Sequence, residues 1–122
     1  MIIPFFCCIF AKRDNKMNVL MKEELYELYL TGKSRKYKDV ERDHTLREGF
    51  FRAVRIMTLV KDVAELRSYS YLHYEQLKHE WSGYSSIRLS NRFVHRLFFM
   101  ETPEGLEVEL IEIDRTHYGN KH

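Results

Sequence analysis

At 122 residues, 44% hydrophobic and 14% aromatic, the chain has apolar surface for one modest core and not for two. Its formal charge of +2 is unevenly spread: residues 1–61 carry 13 Lys and Arg against 8 Asp and Glu, while residues 62–122 carry 7 against 10. Cys7 and Cys8 are the only cysteines and they are adjacent, which excludes a disulfide framework and a zinc-ligand spacing and fits a reducing, cytoplasmic setting.

Residues 1–16 read as an extension and residues 17–122 as the domain. The run Met1 to Phe10 is apolar, lacks the basic start of a secretory signal and is too short to span a bilayer, so no membrane partner is expected. A native tail or a wrongly included upstream start accounts for it, with a membrane anchor as a minor third reading. Met17 to Met21 predicts a short first strand, placed at an edge of the sheet. Leu25, Leu28 and Tyr29 recur at helical spacing within Lys22 to Tyr29, and Gly32 offers a stop. The stretch Gly32 to Lys38 is a basic loop, either a solvated connection or, through Lys33, Arg35 and Lys36, a contact for an RNA backbone.

Asp43 is placed to cap a longer helix whose buried stripe is Leu46, Phe50, Val54 and Met57, with Arg52 and Arg55 pointing away from it. Gly49 within that helix costs about 1 kcal/mol relative to alanine. Asp62 can cap one further turn, Val63 to Arg67. The second half is strand and turn: Glu75 to Lys78, a turn at Trp81 to Gly83, Tyr84 to Leu89, a turn at Ser90 to Arg92, Phe93 to Met100, the Thr102-Pro103-Glu104-Gly105 turn, and Leu106 to Ile113. The expected architecture is α+β, an antiparallel sheet of about four strands with two to three helices on one face.

Strand alternation separates chemistry from core. Ile87 and Leu89 fall on one face and Ser86 and Arg88 on the other, and the same rule separates Arg96 from His95. An arginine held among apolar strand residues is a fixed, forked donor suited to phosphate oxygens. Metal-free RNA cleavage needs a base for the 2′-hydroxyl, cations for the phosphorane and an acid for the leaving oxygen. The second half of the chain holds residues for each role. Taken alone, Glu75 can equally be an exposed strand carboxylate, Arg88 and Arg96 partners of Glu107, Glu109 and Glu112, and a terminal His-Tyr pair a surface tail. His44, His73 and His95 have no chelating spacing, so neither metal nor cofactor is expected.

The ordered set Glu75-Gln-Leu-Lys-His, Ser82-Gly83, Arg88, His95-Arg96-Leu97 and His117-Tyr118 resembles the RelE superfamily of bacterial toxins, and its YoeB branch in particular. Leu25 to Tyr29 with Gly32 to Tyr37 looks instead like the HigB, or plasmid-maintenance-killer, branch; together the matches span residues 17 to 121. The resemblance implies a RelE-like fold and a toxin of a type II toxin-antitoxin system, a ribosome-dependent messenger-RNA endoribonuclease held in check by a cognate antitoxin of HigA-like or YefM-like type. It implies Glu75 as general base, Arg96 on the phosphorane, and His117 with Tyr118 as the terminal acid and its neighbour. Lys78, His79 and Arg88 match positions lining the same cleft. Two departures from the YoeB pattern are a longer turn between Leu89 and His95 and a chain that continues to His122; the HigB pattern also keeps Asp114 in view. ParE-type relatives, which share the fold but inhibit DNA gyrase, provide the alternative.

Overall fold

The computed structural model describes residues 6–10, as backbone, and residues 16–115. The fold is α+β, and the described residues form ten strands and α-helices: β1 (Phe6–Phe10), β2 (Asn18–Lys22), α1 (Glu23–Thr31), α2 (Lys38–Arg42), α3 (His44–Leu59), α4 (Val63–Arg67), β3 (Glu75–Gln76), β4 (Ser85–Arg88), β5 (Arg96–Glu101) and β6 (Glu107–Asp114). The strands form one sheet in the order β1-β2-β6-β5-β4-β3.

Two of the helices, α3 and α4, start where the sequence placed their caps. The Asp43 carboxylate accepts the Leu46 N–H at 3.1 Å to open α3, and Asp62 accepts the Glu65 N–H at 2.9 Å to open α4. Leu46, Phe50, Val54 and Met57 of α3 are all buried, as the stripe required. They join Leu25 and Leu28 of α1, Val63 and Leu66 of α4, and one set of strand residues: Val19, Met21, Ile87, Leu97, Phe99, Val108, Leu110 and Ile113. These three helices, and α2 through Val40, therefore cover the same face of the sheet. Gly49 lets α3 come close: a Cβ there would lie 2.1 Å from the Leu89 carbonyl oxygen.

The sheet differs from the expected one in three respects. It has six strands rather than about four: the apolar run Phe6–Phe10, read as lying outside the domain, pairs antiparallel with β2, while the strand expected at Glu75 to Lys78 is present on β4 but only as Glu75–Gln76. It is mixed rather than antiparallel, because β2 runs parallel to β6 with Val19 opposite Val108 and Met21 opposite Leu110. Flanked by β1 on one side and β6 on the other, β2 lies inside the sheet and not at its edge. Parallel partners need a long crossover, and here every helix of the chain lies between them. The basic stretch also holds more structure than a loop, since it leads into α2: the Ser34 N–H donates to Glu41 Oε1 at 2.9 Å and ties the two together. Among the described residues no helix is long and apolar enough to cross a membrane.

A candidate phosphate-binding face

The face of the sheet opposite the helices carries the polar residues. In the β4-β5-β6 register Ile87, Leu97 and Ile113 are partners on the core side; one residue along, Arg88, Arg96 and Asp114 are partners on the other. Cross-strand partners point to the same face, so two arginines and an aspartate lie side by side there. Glu75 arrives through β3, directly opposite Ser86.

Arg96 is almost wholly buried, 4% exposed. Its Nε donates to Ser86 Oγ at 2.7 Å, and its Nη2 donates to the His73 carbonyl and, at 3.4 Å, to that of Ser86. The same Nη2 lies 3.9 Å from Glu75 Oε1, whose side chain is about half exposed. A buried guanidinium held by three acceptors is fixed before any ligand arrives, and the exposed carboxylate beside it is open to a proton donor. His73 offers its carbonyl from a left-handed conformation, φ 52°, uncommon for a residue with a side chain. Tyr74 anchors the next position from the opposite side. Its hydroxyl donates to Glu101 Oε1 at 2.8 Å and the Arg67 guanidinium stands 4.9 Å from its ring. Burial, reinforced by Glu101, raises the Tyr74 phenol above its ordinary value despite the Ser85 hydrogen bond, so it remains the donor.

Farther along this face Phe98, next to Arg96 on the same side, is sealed by Trp81 and Tyr84 at ring distances of 5.1 and 6.5 Å. Lys78 and His79 are exposed on the loop leading to Trp81. Lys33, Arg35 and Lys36 are exposed on the segment before α2; of these, Lys36 shares a hollow of about 280 Å³ with Lys22 and Glu112. Arg88 is half-buried, and its Nε is fully enclosed with no hydrogen-bond partner. His117 and Tyr118 lie outside the described residues. Asp114 is buried, 5% exposed, as the register partner of Arg96.

Sequence reasoning missed the groups that hold Arg96. Ser86 was legible as a residue on the arginine face, but the His73 carbonyl belongs to a turn whose geometry no side chain announces. His95, read as a core or surface residue, has a specific partner: its Nε2 donates to Asp39 Oδ2 at 2.7 Å, and Arg115 Nε lies 3.3 Å from the same oxygen. This cluster ties α2 to the sheet ends on the helix side, with Tyr37 buried below it. The Tyr37 hydroxyl accepts the Ile113 N–H at 3.3 Å, and burial pushes the phenol up to about 12. Among the described residues no three His, Cys, Asp or Glu side chains come together as a metal ion would need.

No protein-family model matches the chain, and no curated protein is similar enough in sequence to count as a relative.

Proposed function

We propose that the chain is the toxin of a type II toxin-antitoxin pair, a RelE-like, ribosome-dependent endoribonuclease that cuts messenger RNA. The observation that carries this reading is the Glu75 carboxylate 3.9 Å from a buried Arg96 guanidinium on the sheet face opposite α1, α3 and α4. Glu75 takes the 2′-hydroxyl proton, and the 2′-oxygen attacks the adjacent phosphorus. Arg96, with Arg88 on the neighbouring strand, offsets the charge that grows on the phosphorane oxygens. His117, positioned by Tyr118, protonates the 5′-oxygen as its bond to phosphorus breaks. The products are a 2′,3′-cyclic phosphate and a free 5′-hydroxyl, formed without a metal.

Free RNA rarely holds its 2′-oxygen in line with the scissile bond, and the ribosome supplies that alignment. Lys33, Arg35, Lys36, Lys78 and His79 serve the RNA backbone. A cytoplasmic antitoxin of HigA-like or YefM-like type covers this cationic surface until it is removed. The test uses purified protein, ribosomes stalled on a defined message, and excess chelator. Cleavage in the decoding site with a cyclic-phosphate end is expected. An intact message together with blocked gyrase supercoiling would replace the nuclease reading with that of a ParE-like inhibitor, and chelator-sensitive cleavage would overturn its metal-free step.

A further inference from the structure

His73, Tyr74 and Glu75 follow one another in the chain, and the outer two both meet Arg96. His73 gives its carbonyl to Arg96 Nη2, and Glu75 sets its carboxylate 3.9 Å from the same nitrogen. A residue with a side chain keeps a left-handed conformation such as that of His73, φ 52°, only where its surroundings over-determine it. His73 is itself exposed, whereas Tyr74 is gripped from the helix side of the sheet. Its hydroxyl donates to Glu101 Oε1 at 2.8 Å; Ser85 Oγ lies 3.3 Å from the phenol oxygen and donates to that same carboxylate oxygen at 3.1 Å. Glu101 and Ser85 are the register partners of the core residues Val108 and Phe99, and the Phe99 ring lies 6.1 Å from that of Tyr74. The Arg67 guanidinium at the end of α4, 4.9 Å from the ring centre, completes the grip.

We infer that Tyr74 is a positioning residue for the site: held in place itself, it aims the His73 carbonyl at Arg96 and the Glu75 carboxylate at the 2′-hydroxyl, a role that rests on the ribonuclease reading above. The lever is short. The His73 carbonyl and the Tyr74 N–H share one planar peptide unit, and Glu75 follows after a single Cα. The contacts put the Tyr74 phenol on the helix side, and the register puts Glu75 opposite Ser86 on the other, so the phenol is locked without entering the reaction. One strand serves both ends, since β4 offers Ser85 to Tyr74 and the next residue, Ser86, to Arg96 Nε.

The test is Tyr74→Phe, which keeps the ring and removes only the hydroxyl. Single-turnover cleavage on stalled ribosomes should slow about tenfold, the worth of one hydrogen bond to a barrier, while the ribosome concentration that gives half the maximal rate stays the same. Glu101→Ala, which takes away the acceptor, should slow cleavage as much, and the two changes together should slow it no further. Added to a Glu75→Gln, Arg96→Ala double variant, Tyr74→Phe should change nothing, because the groups it aims are gone. In isotope-labelled Tyr74→Phe protein without RNA, the Arg96 guanidinium resonances should shift and rotation about its Nε–Cζ bond should quicken. Parental rate and parental Arg96 resonances in Tyr74→Phe would overturn the role. A further loss of rate in the double-variant background would overturn it too, being the mark of damage to the fold at large. Displaced Arg96 resonances in Tyr74→Phe, together with a parent that leaves messages on stalled ribosomes intact, would keep Tyr74 as the residue that positions Arg96 and remove only the nuclease reading.

Discussion

The two faces of β4, β5 and β6 are built from neighbouring residues of the same strands, yet they do opposite work. Ile87, Leu97 and Ile113 lie under the helices, and Arg88, Arg96 and Asp114, each the next residue along, lie on the uncovered side. On the first face a side chain contributes by excluding water. On the second it contributes by being held in place while charged, as Arg96 is by Ser86 and His73. The difference teaches that fold and chemistry are specified here by one period-two pattern, and that a change of one position in register would exchange them. Substitutions on the two sides should therefore fail in different ways.

The largest effect belongs to the uncovered face. Glu75 is exposed and in contact with Arg96, so Glu75→Gln should leave the thermal melt unchanged and reduce cleavage on stalled ribosomes by about 10² to 10⁴, the usual worth of a positioned base. Arg96→Ala should lose as much activity. It should also lower the melt, because Ser86 and the His73 carbonyl are left without their buried donor. The double variant should be little slower than either single one, since both groups act on one transition state. A Glu75→Gln protein that unfolds, or one that cuts at the parental rate, would break the division between the two faces.

On the helix side the sharpest probe is Gly49. Alanine in a helix interior is ordinarily better than glycine by about 1 kcal/mol. Here the added Cβ would stand 2.1 Å from the Leu89 carbonyl oxygen, a backbone atom that cannot rotate away. Overpacking costs typically about 1 to 3 kcal/mol, and a clash with backbone belongs toward the upper end, so the sign reverses. Gly49→Ala should lower stability in denaturant titration by about 1 to 2 kcal/mol net of the propensity gain. An unchanged or raised midpoint would mean that α3 does not pack against β4 this closely.

What could be read in the sequence was local. The Asp43 and Asp62 caps, the α3 stripe and the separation of Arg88 from Ile87 each depend on residues within a few positions of one another, and all are present. Elements that depend on distant partners were not legible. The strand expected at Glu75 to Lys78 stops after Gln76, α2 begins without a side-chain cap inside a charged stretch, and the parallel β2-β6 pair joins residues about ninety positions apart. The site divides along the same line. Alternation put Ser86 and Arg88 on one strand face, and the motif order singled out Glu75 and Arg96. The meeting of Asp39 with His95 needs α2 to be laid against a particular strand end.

The smallest effect tests the tie between α2 and the sheet. Burial alone would raise the Asp39 carboxyl, but the His95 hydrogen bond and the Arg115 charge outweigh it and hold the group below its ordinary value of 3.8. A carboxyl whose folded-state pKa is depressed adds stability that is complete above the unfolded value and disappears as pH falls through the folded one. The contribution should therefore be intact at neutral pH and fade only below about pH 4. Because the Asp39 side chain is 37% exposed, solvent screening keeps its size small, as for other partly exposed ion pairs. Asparagine at this position can still accept from His95 but does not titrate. Asp39→Asn should accordingly be slightly less stable than the parent at pH 7, and the gap should narrow as both are taken down through pH 4. Parallel stability curves across that interval would show that the His95-Asp39-Arg115 cluster does not couple α2 to the sheet.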